Sequence, residues 1–305
     1  MFIKTTEGFS QQKRDLSIVS DWIESSVILL NEKVSKSDVI DILNEENVFA
    51  NKLDASAFVD NSWTEIKRRQ KSLGKNNILE FPYKSIKTKK DWKEVSPYSF
   101  CIAISLASYY HKEDYIKRNF GEIGRAFEHL TNDSLKILFP EWSLFHTGWS
   151  DKKSLPFSDL INEIEENYNI KRTSNYLEYL TGKENDATLD IIMSRQFYDF
   201  NCSIPYYLVQ CASGQDWVRK RNEPDISRWN KIFQFNSPLV RGLAIPFSLN
   251  QREFIYNSPT VGGIILDRYR LLSAYDLRFD WVSPQLSKRL NDITVQIINS
   301  INRYS

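Results

Sequence analysis

The sequence predicts an α+β or α/β protein in which a helical N-terminal region is followed by a region that contains a β-sheet. Apolar residues recur at helical spacing through the first 120 residues. Runs with strand chemistry appear only after Pro140, and a further helical pattern covers residues 284–301. We therefore expect two domains, residues 1–120 and residues 121–305.

The composition is that of a folded chain without a strong overall charge. Of the 305 residues, 41% are apolar and 26% are charged, and the net charge is +1. No global field attracts nucleic acid or an anionic membrane, so any such attraction must come from local clusters. No apolar run approaches the ~18 residues of a membrane span. We expect a cytoplasmic protein that does not contact a membrane.

The cysteines argue against a disulfide framework and against a structural zinc site. Cys101, Cys202 and Cys211 are widely spaced and form no C-x-x-C pair. Cys211 lies among apolar residues, which favours a packing role over a nucleophilic one. The three histidines, at positions 111, 129 and 146, are too dispersed for a zinc motif, and we expect them to be structural or exposed.

The first region contains several helical patterns. Residues 21–30 place apolar side chains at helical spacing, and residues 37–43 begin with the N-cap candidate Ser37 before an apolar stripe. Residues 99–110 are apolar enough for a buried helix, and residues 122–138 form an amphipathic pattern.

A strongly basic segment lies between residues 67 and 93. It holds ten lysines and arginines against two acidic residues, Glu80 and Asp91. One reading is an ordinary solvated surface, and the other is a patch that contacts phosphates, with Trp63, Tyr83 and Trp92 nearby. On the second reading the DNA-contacting residues are Lys67, Arg68, Arg69, Lys71, Lys87, Lys89 and Lys90.

The second region alternates strand and helix patterns. We expect strands over residues 142–149, 188–193, 206–212 and 242–247, and helices over residues 157–167 and 284–301. Asp190 and Gln210 interrupt two of these strands. A carboxylate between apolar neighbours must be hydrogen-bonded, solvated or metal-bound, because an unpaired buried charge costs several kcal/mol. If the two strands pair, the two side chains lie close together and suit Mg²⁺ or Mn²⁺.

Three short motifs in this region resemble those of a known nuclease superfamily. They are residues 124–128 (GRAFE) on a helix, residues 186–190 (DATLD) entering a strand, and residues 210–212 (QCA) on the next strand. They are similar to the G-x-x-[FY]-E, D-G-G-[IL]-D and Q-x-K motifs of the Mrr-type branch of the PD-(D/E)xK, or restriction-endonuclease-like, superfamily. The resemblance covers roughly residues 120–250.

The resemblance implies a mixed sheet flanked by helices and a magnesium-dependent endonuclease site. Glu128 would support the metal or its waters, Asp190 would be the principal ligand, Gln210 would replace the usual glutamate, and Asp186 would be an accessory. The sequence departs from the family pattern at Ala212, where the family places its lysine.

A lysine for this site is available on the segment that follows. Lys220 is our candidate substitute, and Arg219 and Arg221 beside it are candidate DNA contacts. The alternative is that these three residues form an ordinary exposed basic turn.

The function that the resemblance implies is hydrolysis of DNA by the effector of a bacterial antiphage defence or restriction system. Such proteins act as homodimers or with a separate ATPase or sensor subunit, and this sequence contains no ATPase motif. The alternative is a catalytically inactive, nuclease-like scaffold that binds DNA or a partner. Hydrolysis of RNA or of a nucleotide also stays open.

Overall fold

A computed structural model gives a mixed α+β fold with one sheet of three strands and one of five. The structure describes residues 2–3, 15–110, 114–147, 157–168, 170–180, 188–199, 201, 203–273 and 280–300. Among the described helices, none combines the length and the apolar character that crossing a bilayer requires.

The N-terminal region combines helices with a small antiparallel sheet. Its helices are α1 (Leu16–Leu29), α2 (Lys36–Glu45), α3 (Lys52–Ser72) and α4 (Ser96–Tyr110). Its strands are β1 (Val34–Ser35), β2 (Leu79–Glu80) and β3 (Ser85–Thr88), in the order β1-β3-β2. The prediction of a mainly helical region therefore missed a sheet, because strands of two to four residues are too short to show an alternating pattern.

The second helix begins two residues earlier than the predicted N-cap. Ser35, rather than Ser37, accepts from the backbone N–H of Asp38, and Asp38 accepts from the backbone N–H of Ser35. This reciprocal capping box satisfies two N–H groups that a helix start otherwise leaves without partners.

The C-terminal region surrounds a mixed five-stranded sheet with helices. Its strands are β4 (Ser143–His146), β5 (Ile191–Ser194), β6 (Tyr206–Cys211), β7 (Leu239–Ala244) and β8 (Gly263–Leu266). They lie in sequence order across the sheet, with β4, β5 and β6 antiparallel and β6, β7 and β8 parallel. The helices are α5 (Asp114–Leu138), α6 (Phe157–Tyr168), α7 (Ile226–Ile232), α8 (Gln251–Val261), α9 (Arg268–Leu272) and α10 (Pro284–Ser300).

The predicted strands and helices of this region are confirmed, with shifted ends. The strand predicted over residues 188–193 begins at Ile191, so Asp190 immediately precedes β5. The strand predicted over residues 242–247 begins at Leu239 and ends before Pro246, which has no N–H for a sheet ladder. The segment that contains Lys220 forms a 3₁₀ helix (Trp217–Asn222).

One apolar core runs through both regions. Trp22 of α1, Phe100 of α4, Phe127 of α5, Val209 of β6 and Leu290 of α10 belong to the same buried cluster. The predicted domain boundary at residue 120 lies within α5, directly after a kink at Asn119 where the backbone is not helical. Helix α10 packs against both α4 and α5. The division into two domains stays a prediction.

Buried charges also join the two regions. Arg69 on α3 is fully buried and contacts Asp21 Oδ1 at 2.8 Å, Glu24 Oε2 at 3.3 Å and Glu65 Oε1 at 2.9 Å. Arg268, also fully buried, donates to the same Asp21 oxygen. The prediction that Arg69 contacts DNA is therefore wrong, because its guanidinium is enclosed by carboxylates inside the protein.

Candidate active site

The pairing of β5 with β6 brings Asp190 and Gln210 into contact. The Asp190 backbone N–H donates to Val209 O at 3.1 Å, which continues the ladder by one residue beyond β5. Asp190 Oδ2 then accepts from Gln210 Nε2 at 2.7 Å and from the Cys211 backbone N–H at 2.5 Å. The carboxylate is only 3% exposed, and these two donors provide the hydrogen bonding that a buried charge requires.

One strong acceptor of Gln210 has no partner among the described residues. Its side chain is 4% exposed, and its Nε2 is shared between Asp190 Oδ2 and Cys211 O. Its Oε1 is buried and accepts no hydrogen bond from the part of the chain that the structure describes. A buried acceptor in this state costs about 1–3 kcal/mol, so the position favours a donor or a cation supplied by a ligand.

A cavity of about 390 Å³ collects all four predicted catalytic residues. Glu128 lines it from α5, Asp190 from the start of β5, Gln210 from the end of β6, and Lys220 from the 3₁₀ helix. These residues span more than ninety positions of sequence, so their convergence is a product of the fold.

Lys220 places a positive charge beside these polar groups. Its side chain is half-buried, and it forms no ion pair with any described carboxylate. Ala212, at the position where the family has its lysine, lines the same cavity but is almost fully buried and packs in an apolar cluster with Trp217 and Leu243. The positive charge of this cavity therefore comes from the 3₁₀ helix and not from β6.

The electrostatic effect of the site reaches the neighbouring thiol. Burial raises the pKa of Cys211 well above its ordinary value, and the negative charges of Asp190 and Glu128 raise it further. A hydrogen bond with the Thr131 side chain and the positive charge of Lys220 act in the other direction and lower this pKa. Cys211 is thus a protonated, buried thiol at neutral pH, which confirms its predicted packing role.

His146, which was expected to be structural or exposed, contacts the carboxylate of Glu128 on α5. His146 Nε2 on β4 lies 3.5 Å from Glu128 Oε2, and the His129 and His146 rings lie edge to face with centroids 4.9 Å apart. This contact depends on β4 pairing with β5 in the register His146 opposite Ile191. No motif in the sequence joins residues 128 and 146, so only the strand register identifies this neighbour.

The remaining predicted DNA contacts are exposed to different degrees. Lys67, Arg68, Lys71, Lys87 and Lys89 are exposed, and Lys90 is half-buried. Arg68 donates twice to Glu65, and Lys87 Nζ lies 3.2 Å from Glu80 Oε2, so part of this charge is neutralised.

The two arginines beside Lys220 also differ. Arg219 is exposed, whereas Arg221 is half-buried and bonded to Val218 O and Asn257 Oδ1. Asp186, the predicted accessory ligand, lies outside the described residues, as do His111 and Cys202.

The oxygen donors of the cavity fit a hard divalent cation. Within the described ranges, no three side chains of Asp, Glu, His or Cys form a metal-binding group. The cavity is lined by three carboxylate residues, Glu128, Asp190 and Asp216, and by Gln210, whose amide oxygen is buried. Mg²⁺ commonly takes one or two carboxylates and keeps several waters, so the carboxylate and amide oxygens here are of the ligand type that Mg²⁺ or Mn²⁺ prefers.

The functional assignment of this chain depends on the geometry of that cavity and on the motif resemblance. Compared with protein-family models, with curated proteins and with solved structures, the chain shows no match.

Proposed function

We propose that this protein is a metal-dependent deoxyribonuclease that hydrolyses phosphodiester bonds in DNA. The observation that carries the proposal is the convergence of Glu128, Asp190, Gln210 and Lys220 on one cavity. Glu128, Asp190 and Gln210 belong to the motifs that resemble those of the nuclease superfamily, and Lys220 is the candidate substitute for its lysine. A mixed sheet with flanking helices, as the resemblance implies, supports the same conclusion.

Each residue has a distinct task in this proposal. Asp190, Glu128 and the Gln210 amide oxygen hold the cation, and Gln210 Nε2 and the Cys211 N–H orient the Asp190 carboxylate. When bound, Mg²⁺ or Mn²⁺ polarises the scissile phosphate and lowers the pKa of an attacking water. Lys220 stabilises the negative charge that develops on the phosphate oxygens.

The proposed role is that of an effector in a bacterial antiphage defence or restriction system. The exposed lysines of the basic segment would hold the DNA backbone, since phosphate contacts position a duplex without reading its sequence. A second copy of the chain, or a separate ATPase or sensor subunit, would supply recognition or activation.

One observation favours a second candidate, an inactive nuclease-like scaffold. Ala212 places a methyl group where the family has its catalytic lysine. A scaffold would bind DNA or a partner protein through the same surfaces without cutting. The two candidates therefore differ in cleavage and not in binding.

Cleavage of supercoiled plasmid and of circular single-stranded DNA in Mg²⁺ or Mn²⁺ tests the proposal. Asp190→Asn keeps the shape of the side chain and removes its charge, and Lys220→Met removes the ammonium group. We expect each to reduce the rate by about 100-fold or more, which is the typical cost of removing one group that stabilises a transition state. Chelation of the metal should abolish cutting by the wild type.

Matched controls lie on α10, where Asp292 and Lys288 are exposed. Asp292→Asn and Lys288→Met should cut at the wild-type rate, and circular dichroism should show all four variants folded. A wild-type protein that never cuts, even with the products of neighbouring genes present, would contradict the nuclease and favour the scaffold. Full activity of Lys220→Met would remove Lys220 from the mechanism.

A further inference from the structure

An exposed aromatic and basic face adjoins the candidate active site. Tyr256 and Ile255 of α8 are 72% and 68% exposed, and Arg252 lies one helical turn earlier on the same side. The 3₁₀ helix packs against α8 and adds the exposed side chains of Val218 and Arg219. The stacking face is defined as Val218, Arg219, Arg221, Arg252, Ile255 and Tyr256.

The arginines of the stacking face keep their charge available. Arg219, Arg221 and Arg252 form no ion pair with a carboxylate among the described residues. Arg221 lies 5.9 Å from the Tyr256 ring centroid and donates to Asn257 Oδ1 at 3.0 Å, so the guanidinium is held against one side of the ring.

Nearby acids do not cancel this charge. The carboxylate of Glu253 is engaged by Ser17 Oγ at 3.2 Å and by the Asn250 N–H at 2.7 Å, which ties it to the N-terminus of α8. Two acidic residues, Asp216 and Glu223, flank the 3₁₀ helix. They are outnumbered by four cationic side chains, Arg219, Lys220, Arg221 and Arg252. The face therefore has a positive balance that complements a phosphate backbone.

The 3₁₀ helix joins the stacking face to the cavity. It carries Arg219 and Arg221 of the stacking face, contacts α8, and supplies Lys220 to the cavity lining. The Phe120 ring also lines the cavity; it is 49% exposed and packs over Gly214, where an added Cβ would lie 2.9 Å from Phe120 Cζ. The site therefore has a second exposed aromatic ring in addition to that of Tyr256.

We propose that this site takes single-stranded DNA, with unpaired bases stacked on Tyr256 and Phe120 and phosphates held by Arg219, Arg252 and Lys220. The inference rests on the proposed function and adds its substrate class. A duplex turns its base faces inward, so exposed rings beside unpaired arginines have little to bind there. A single strand offers base faces and phosphates together, which is the combination that aromatic and basic surfaces bind. The cavity volume of about 390 Å³ lies at the scale of one small ligand.

Fluorescence anisotropy without divalent metal measures binding apart from cutting. The probes are a short labelled DNA strand of mixed sequence, the same strand annealed to its complement, and the same sequence as RNA. We expect the wild type to bind the single DNA strand more tightly than the duplex. Tyr256→Ala should weaken single-strand binding by about 5- to 150-fold, given ~1–3 kcal/mol for each stacked base, and should leave duplex binding unchanged.

Two further variants make the test specific to stacking. Tyr256→Trp keeps an aromatic surface and should retain single-strand binding. Tyr198→Ala removes a tyrosine that is fully exposed on the segment between β5 and β6, away from the cavity, and should have no effect. Both substituted tyrosines are exposed, so loss of folding would not explain a difference between them.

The outcomes separate this inference from the proposed function. A wild type that binds single strands through Tyr256 but never cuts would support the inference and contradict the nuclease. Three binding results would overturn the inference: preference for the duplex, binding of RNA only, or no effect of Tyr256→Ala. If the wild type also cuts plasmid, the proposed nuclease function is still supported.

Discussion

Asp190 and Gln210 act as one unit within the candidate site. The Gln210 amide donates an N–H to the Asp190 carboxylate, and its oxygen accepts no hydrogen bond from the described residues. The hydrogen bond between the two side chains fixes the orientation of both. In the proposed nuclease site, this arrangement would let a glutamine take the place of the glutamate that is usual in the superfamily that the motifs resemble. It keeps an oxygen donor at the cavity without placing a second negative charge beside Asp190.

Arg69 and Lys71 lie two residues apart on α3, but their substitution should affect the free energy of unfolding very differently. Arg69→Ala would leave Asp21, Glu24 and Glu65 with an uncompensated buried charge, which typically costs ~3–5 kcal/mol. Lys71 is exposed, so Lys71→Ala should change the free energy of unfolding by no more than about 0.5 kcal/mol. Urea unfolding measures both. Equal stability of the two variants would contradict the buried charge cluster.

At the scale of elements, the pairing of β7 with β8 depends on a glycine. A Cβ added to Gly263 would lie 1.9 Å from the backbone oxygen of Arg241, its partner residue on β7. Backbone cannot give way as a flexible side chain can. The close approach of the two parallel strands at this position therefore requires glycine.

Gly263→Ala should destabilise the protein severely, whereas Gly121→Ala should not. The first change forces β7 and β8 apart, and we expect a loss of about 3 kcal/mol, the upper end of what overpacking typically costs, because the clash is with backbone. An added Cβ at Gly121 of α5 meets nothing within 4 Å, and alanine in a helix is favoured by about 0.5–1 kcal/mol. Thermal or urea denaturation compares the two variants. A stable Gly263→Ala protein would mean that the β7–β8 pairing differs from the one described.

The elements also show where sequence patterns are informative. The amphipathic pattern predicted over residues 122–138 coincides with the end of α5, and the closing pattern coincides with α10. The short strands β1, β2 and β3 have no such signal and were missed. Their pairing is set by contacts such as Val34 opposite Ile86, which join segments about fifty residues apart.

At the scale of the whole molecule, the basic segment is distributed over several elements. Its residues belong to the end of α3, the strands β2 and β3, and the connections between them. One of its arginines is buried in the core and another is bound to Glu65, so lysines dominate the exposed charge. Any DNA contact through this segment depends on those lysines.

The salt dependence of DNA binding tests the segment as a whole. Replacing Lys71, Lys87, Lys89 and Lys90 with glutamine should reduce the slope of log K against log salt concentration by up to ~3, since each phosphate contact contributes about 0.7–0.9. A control protein with Lys52, Lys136, Lys231 and Lys288 replaced loses the same charge elsewhere and should keep the wild-type slope. An unchanged slope in the first protein would exclude the segment as a DNA-binding surface.

The amino-acid sequence by itself determined the fold class, most strands and helices of the C-terminal region, and the identity of the candidate site residues. Periodicity and residue order are local properties, so they can be identified from the sequence without knowledge of the fold. The tertiary structure alone decided that Arg69 is enclosed, that His146 contacts Glu128, and that Lys220 shares a cavity with Asp190. These facts depend on which distant segments pair and pack, and the free energy that selects those pairings is spread over the whole core.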